Sequence, residues 1–237
     1  MTYKTKYLTN QTLMDSIDTE EKAYWLGFFY ADAYNKETTG QIIIELQERD
    51  KDHLHKCANF FGKPREPFLQ LKNKGKYRAY RLELNGRYLS NRLKEKGCHR
   101  AKSFTITFPQ WLDENLTKHF VRGYFDGDGC IYIHQDQLGI EIISTQEMIT
   151  SLSELLKINI DVKPRISHPE RYTDNTYRLD FGGSRQVLRF CEWIYKDATV
   201  FLDRKHKKYT TYVSDHVPHY MEDRIIKYGS PIKIKLK

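Results

Sequence analysis

Two stretches of this 237-residue chain share an arrangement that few folds can accommodate: two small residues four positions apart, followed at once by a carboxylate. In Tyr24-Trp25-Leu26-Gly27-Phe28-Phe29-Tyr30-Ala31-Asp32-Ala33-Tyr34 the small pair is Gly27 and Ala31 and the acid is Asp32. In the run from His119 to Ile133 the pair is Gly123 and Gly127 and the acid is Asp128. On a helix, each pair makes a smooth face where another backbone can approach closely. The acid then falls at the helix C-terminus, where unpaired carbonyls and the macrodipole already concentrate negative charge. A carboxylate placed there needs a cation. Alone, Asp126-Gly127-Asp128-Gly129 reads equally as a turn that stops a helix; the second copy favours a site.

If the two smooth faces pack on each other, Asp32 and Asp128, 96 positions apart, arrive together at one end of the interface. Two carboxylates about 4 Å apart repel by roughly 4 kcal/mol at an effective dielectric of ~20, so the pair invites divalent cations. This is the outline of a two-metal phosphodiester site. The repeat extends past the motif. Tyr80-Arg81-Leu82-Glu83-Leu84 and Tyr177-Arg178-Leu179-Asp180-Phe181 lie 97 positions apart, which marks an internal duplication.

The stretch Val121 to Gly129 closely, and Trp25 to Ala33 with substitutions, resembles the LAGLIDADG motif of homing endonucleases. The resemblance covers about residues 18 to 213. It implies an α+β fold of two pseudo-twofold-related αββαββα repeats, with antiparallel sheets forming a DNA-binding saddle and the motif helices packed at the interface. The acids at the eighth motif position, Asp32 and Asp128, are implied to bind the catalytic metals. The first copy departs at the sixth position, Tyr30 in place of Asp, and at the ninth, Ala33 in place of Gly; neither position is a ligand. Carbonyls of Ala31 and Gly127 at the helix ends are candidate further oxygen ligands, and oxygen-only coordination suits magnesium. The family's polar residue after the second strand of each half matches Gln47 and Gln146. Its basic residue near each scissile phosphate matches Lys102 and Lys205, with Lys207 or Lys208 as alternatives to Lys205.

The activity so implied is site-specific, magnesium-dependent cleavage of double-stranded DNA by a monomer acting as its own pseudo-dimer on a long non-palindromic site. The rival is the same fold without cleavage, as an intron RNA maturase or a DNA-binding regulator. Both acids are retained, and a pure binder does not need them. An intein is disfavoured, because no splicing Cys or Ser opens the chain and no His-Asn closes it.

A formal charge of +8 and a pI near 9.1 agree with a polyanionic partner. Candidate DNA contacts are Lys72, Lys76, Arg78 and Arg81 on one β-ribbon and Arg165, His168, Arg171 and Arg178 on the other. No apolar run approaches the ~18 residues of a membrane helix, and Met1-Thr2-Tyr3-Lys4-Thr5-Lys6-Tyr7 leads into no secretory-type segment, so the cytoplasm, or an organellar matrix if the gene is organellar, is the expected location. Cys57, Cys98, Cys130 and Cys191 stand singly, suggesting neither zinc nor disulfides. The pairs His53/His55 and His216/His219 read as surface histidines.

The expected division is a first half over 1–108, a linker over 109–117, a second half over 118–214 and a basic tail over 215–237. Caps are expected at Asp18 with Glu21, at Ser144 with Glu147, and at Ser184. Strands are expected over 41–46, 67–71, 77–84, 130–135, 139–143, 162–168 and 176–181, with Leu82 and Leu84 facing the core, and helices over 50–61 and 87–96. Met148, Leu152, Leu155 and Leu156 on one helix, and Val187, Leu188, Cys191, Ile194 and Ala198 on another, are expected to face inward.

Overall fold

A helix buried on one side shows an apolar stripe, but Ala23 through Tyr30 are apolar or aromatic all round and all of them are buried. That composition fits α1 (Glu20–Asp32) because it lies between the two halves of the molecule. The computed structural model describes residues 9–62, 66–170 and 175–228, with side chains described as far as residue 216. The first half continues with β1 (Ala33–Lys36), β2 (Gln41–Gln47), α2 (Lys51–Phe60), β3 (Phe68–Lys72), β4 (Tyr77–Asn85) and α3 (Arg87–Glu95). The second repeats that order with α4 (Glu114–Asp128), β5 (Gly129–His134), β6 (Gln137–Ser144), α5 (Gln146–Ile160), β7 (Arg165–Ser167), β8 (Tyr177–Gly182) and α6 (Ser184–Tyr195). A last helix, α7 (Asp203–Tyr228), has no counterpart in the first half.

Each half holds one antiparallel sheet, ordered β1-β2-β4-β3 and β5-β6-β8-β7. The registers match: Ala33 faces Ile44, which faces Leu82, while Gly129 faces Ile142, which faces Leu179. Ile42, Ile44, Leu82 and Leu84 in one sheet, and Ile140, Ile142, Leu179 and Phe181 in the other, fill the core beneath the helices. Strand alternation turns Glu45, Arg81 and Glu83, and Glu141, Arg178 and Asp180, to the opposite face.

The halves join where α1 crosses α4. A Cβ on Gly27 would strike the Phe120 carbonyl and come within 2.9 Å of the Tyr124 nitrogen; one on Gly123 would strike the Tyr24 carbonyl and lie 2.8 Å from the Phe28 nitrogen. Backbone thus meets backbone, which brings the two helix ends into register.

Several local expectations are corrected. Thr19, not Asp18, caps α1, its hydroxyl accepting from the Lys22 nitrogen at 3.3 Å. Asp18 instead takes the Lys22 ammonium at 2.8 Å. Thr145, not Ser144, caps α5, because Ser144 is still paired in β6 opposite Tyr177. Gly183 precedes α6 with φ of 85°, and Ser184 turns its hydroxyl to Tyr212 at 2.5 Å. Of the strand expected over 162–168 only Arg165–Ser167 pairs, since Val162 is buried in the core. Leu155 and Leu188 are only partly buried, and Ala198 lies beyond the end of α6. The second motif helix begins at Glu114, inside the expected linker, and α7 runs through Ser214 to Tyr228.

His53 is not a surface residue: it is 2% exposed, caged by Tyr24, Trp25 and Phe28, with Nε2 2.9 Å from the Tyr24 hydroxyl. His55, by contrast, lies near the surface beside Glu66. His216 stacks on Tyr212, and His219 lies outside the residues whose side chains are described. Cys57, Cys98 and Cys191 are buried and Cys130 is exposed.

Candidate active site at the helix interface

Asp32 ends α1 and Asp128 ends α4, so the crossing that Gly27 and Gly123 permit carries both acids to one place. A Cβ on Gly127 would lie 3.2 Å from Asp32 Oδ2, which shows how closely the second motif approaches the first acid. Burial raises the Asp32 carboxyl to about 7, helped by the charge of Asp128 and opposed by Lys205 and Lys102. Burial likewise raises Asp128 to about 6, against the pull of Lys102, Lys205 and the Tyr124 hydroxyl. Lys102 and Lys205 are therefore the cations that the helix ends require.

The lysines are placed alike. Lys102 is buried and donates to the carbonyl of Ala33, the residue after Asp32. Lys205 is buried and donates to the carbonyl of Gly129, the residue after Asp128. Lys205 also reaches the carbonyls of Phe125 at 2.5 Å, Asp126 at 2.8 Å and Gly127 at 3.4 Å, and so caps α4. Burial lowers its ammonium to about 8 while the nearby carboxylates resist, and burial lowers Lys102 as well. Lys207 is exposed and Lys208 donates to the Ile131 carbonyl at 2.9 Å, away from the acids.

The glutamines are less symmetric than their order suggests. Both are exposed, but the pairing of Ile44 with Ala33 and of Ile142 with Gly129 makes Thr145 the counterpart of Gln47, so Gln146 sits one position further on. Ala31 and Gly127 face each other across the crossing.

On the open faces of the sheets, Arg81 and Arg178 occupy equivalent positions, and each is held by carboxylates. Arg81 pairs with Glu45 at 2.7 Å and Glu83 at 3.6 Å; Arg178 pairs with Glu141 at 3.5 Å and Asp180 at 3.4 Å. Lys72 pairs with Glu45 and Arg165 with Asp180. Lys76 lies in the hairpin turn over the Tyr77 ring, and His168 packs edge-on against Tyr177. Arg78 departs from the expectation. Three residues before Arg81 on one strand, it projects to the other face, where its guanidinium takes Glu48 at 2.7 and 2.9 Å. Arg171 lies outside the described residues.

Several site residues escaped the sequence. Asp126, buried, accepts from the Tyr24 hydroxyl at 2.9 Å, the Tyr195 hydroxyl at 2.8 Å and the Leu202 nitrogen at 2.7 Å, tying the start of α7 to α4. Asp50 holds Arg204 through contacts of 3.0, 3.2 and 3.0 Å, and Lys56 holds Asp203 at 2.7 Å. These pairs fasten the first turn of α7, and with it Lys205, to the first half. Only long-range geometry reveals them. Tyr124, one turn before Asp128, had a signal in its spacing.

The arrangement defines a class: two fused αββαββα repeats with a carboxylate and a lysine from each at a common helix interface. Residues 115–195 match the family described as LAGLIDADG-like domain. The LAGLIDADG endonuclease I-LtrWI, solved with its target DNA, superposes with a TM-score of 0.55 over 91% of this chain and 93% of its own, at 13% identity. Full-length DUF199/WhiA from Thermatoga maritima superposes with a TM-score of 0.53 over 93% of this chain and 72% of its own, at 17% identity. Identities this low speak for the fold alone, and the fold is the two-repeat LAGLIDADG one. A 97-residue stretch is 33% identical to the protein named "Probable translation initiation factor IF-2" of Methanocaldococcus jannaschii, a match over 38% of this chain that spans only 8% of that protein.

Proposed function

We propose that this protein is a site-specific double-strand DNA endonuclease that works as a single chain, each half serving one strand of a long, non-palindromic site. The observation that carries the proposal is the convergence of Asp32 and Asp128 at adjacent helix ends, each with a buried lysine on the next carbonyl. A carboxylate pair kept from ionising fully by burial, with the charge of Asp128 further opposing ionisation of Asp32, is a poor device for packing two helices and a good one for taking up divalent cations.

The donor set fits magnesium. Among the described residues no group of three or more His, Cys, Asp or Glu side chains is placed to hold a metal. Magnesium does not require one, because it keeps several waters and is bound by one or two carboxylates together with substrate phosphate oxygens. Asp32 and Asp128 would hold it, with the carbonyls of Ala31 and Gly127 within the same helix ends. Bound there, it would lower the pKa of a water and offset charge on the phosphate. The chain's own part is positional. Lys102 and Lys205 keep positive charge beside the acids, where negative charge grows on the scissile groups. Gln47 and Gln146 offer amides at the exposed rim, and the sheets carry Lys72, Lys76, Arg81, Arg165, His168 and Arg178 toward a groove.

One observation favours a second reading, a binder of DNA or intron RNA that does not cut. The Lys205 ammonium already lies against the Gly127 carbonyl, an oxygen that a metal would use. One experiment separates the two. Duplex libraries that include DNA flanking the gene are incubated with the native chain or Asp128→Asn, with and without magnesium. Discrete magnesium-dependent ends made only by the native chain are expected. Salt-sensitive binding without ends would replace the nuclease with the binder.

A further inference from the structure

One row of residues across the open sheet faces is built differently in the two halves. In the first half Lys36 of β1 pairs with Gln41 of β2, and Gln41 pairs with Asn85 of β4. Alternation along β4 puts Asn85 on the same face as Arg81 and Glu83. The registers make Tyr132, Gly139 and Gly182 the matching row of the second half. A Cβ on Gly139 would strike the Tyr132 ring, so that ring lies across the place that Gln41 fills in the first half. The second row therefore carries no side-chain amide.

The two amides of the first row act as one unit. Gln41 Nε2 donates to Asn85 Oδ1 at 3.2 Å. The strand end that carries Asn85 is itself held, because Gln11 donates to the Asn85 carbonyl at 2.9 Å and accepts from the Leu89 nitrogen at 3.2 Å. A primary amide has one oxygen and one NH2 group, so a bond between two of them leaves one oxygen and one NH2 unused. That remainder is the same whichever amide donates. Asn85 is exposed and Gln41 half-buried, which leaves the unit at the surface with its geometry already fixed. An acceptor beside a donor complements the major-groove edge of adenine, where the N6 amino group stands beside N7. Guanine presents two acceptors there, N7 and O6, and would set oxygen against oxygen.

We propose that Gln41 and Asn85 are specificity-determining residues that together read one A·T pair in the half of the target beneath the first repeat, with no such reading at the symmetry-related pair beneath the second. This rests on the reading that DNA lies along the open sheet faces, and not on cleavage.

A site recovered from the duplex libraries, as cut ends or as bound DNA, is randomised one position at a time. The duplexes are bound without magnesium, separated into bound and free, and sequenced. The native chain is expected to prefer A·T over G·C by about 10-fold at one position that the variants identify. Gln41→Ala or Asn85→Ala removes most of that preference, and the double variant removes little more, as for two residues acting as one. The symmetry-related position and all others stay within about 2-fold. Gln41→Glu leaves two oxygens unused and moves the preference at the same position toward cytosine, whose N4 donates. A merely structural role would weaken every position together and could not produce that switch.

An unchanged profile in both alanine variants, a loss spread over all positions, or a G·C preference at the altered position would overturn the inference and leave the DNA reading standing. Bound but uncut DNA would remove the nuclease, and the same profile would still decide the role of Gln41 and Asn85. A native chain that binds every duplex equally would overturn sequence-specific recognition and this inference with it.

Discussion

Lys102 and Lys205, on unrelated local structures, make one contact in common: each donates its ammonium to the carbonyl immediately after a motif acid, Ala33 in one half and Gly129 in the other. The first lysine arrives on a short turn and the second on a long helix, so pseudosymmetry is kept at the site and given up in the scaffold. Replacing either by Met is expected to lower cleavage by about 10²-fold or more, as loss of a placed positive donor does, with DNA affinity little changed. Lys205→Met should also cost about 1–3 kcal/mol in urea unfolding, because the carbonyls at the end of α4 lose their donor. Strand-specific rates and an unfolding curve check both statements.

The acids give a prediction about stability as well as activity. Burial raises Asp32 to about 7 and Asp128 to about 6 from an ordinary 3.8. A carboxyl raised in the fold contributes stability that is full below its unfolded value and is lost as pH rises through the folded one. In chelator, the contribution of these two acids to the melting temperature should therefore fall from about pH 4 to about pH 7 and level off above, and magnesium should restore it. Asp32→Asn and Asp128→Asn should flatten that fall, abolish cleavage and leave DNA binding intact. A scan of melting temperature against pH with and without metal tests the sign.

What the sequence showed plainly was whatever depends on periodicity. The spacing of Gly27, Gly123 and Gly127 from their acids, the alternation of Ile42 and Ile44, and the repeated Tyr-Arg-Leu segments placed helices, strands and the duplication. Caps were missed by one residue at Asp18 and Ser144, because a hydroxyl one position away was equally suited and only strand pairing decides where a helix can start. Arg78 and Arg81 belong to one basic cluster in the sequence, although three positions along a strand reverse the face. The clamp of Asp50 on Arg204 spans 154 positions, and no local pattern announces it.

His53 carries an opposite pH dependence. Tyr24 gives its proton to Asp126, so the imidazole donates from Nε2 to the Tyr24 oxygen, and Nδ1, without a partner, remains unprotonated. Burial lowers this histidine to about 3 from 6.5, aided by the charges of Lys56 and Lys205. A group depressed in the fold contributes stability above its unfolded pKa that is lost as pH falls toward the folded one. The contribution of His53 to the unfolding free energy should decline from about pH 6.5 downward, against the gain from Asp32 and Asp128 over the same range, and His53→Phe should remove that decline. Urea denaturation at pH 7.5 and pH 5 decides.

The glycine crossing is the least tolerant part of the molecule. A Cβ on Gly27 or Gly123 meets carbonyl and amide atoms of the other helix, which cannot swing aside as a side chain can. Gly27→Ala or Gly123→Ala is expected to lose about 3 kcal/mol or more, at or beyond the usual range for overpacking. It should also separate the acids, so that residual cleavage falls further than stability alone explains. Gly62→Ala, with open space but φ of 84°, should cost only the ordinary strain of a left-handed residue, about 1–2 kcal/mol.

The carboxylates on the open sheet faces predict a gain of affinity by removal of charge. Arg81 is shared between Glu45 and Glu83, and Glu45 also takes Lys72, so two cations of the proposed DNA-binding face are partly spent on one acid. These pairs are half exposed, and each is worth about 0.2–1 kcal/mol, too little for the fold to depend on them. Glu45→Gln should leave the melting temperature within a few degrees, free Lys72 and Arg81, and tighten DNA binding. It should also steepen the dependence of affinity on salt, by about one unit in the log-log slope per cation released to a phosphate. Arg81→Ala should do the reverse, and so should Arg178→Ala at the equivalent place between Glu141 and Asp180. Fluorescence anisotropy with a labelled duplex from 50 to 300 mM salt separates these effects. Affinity unchanged in Glu45→Gln at every salt concentration would show that this face of the sheet does not lie on the nucleic acid.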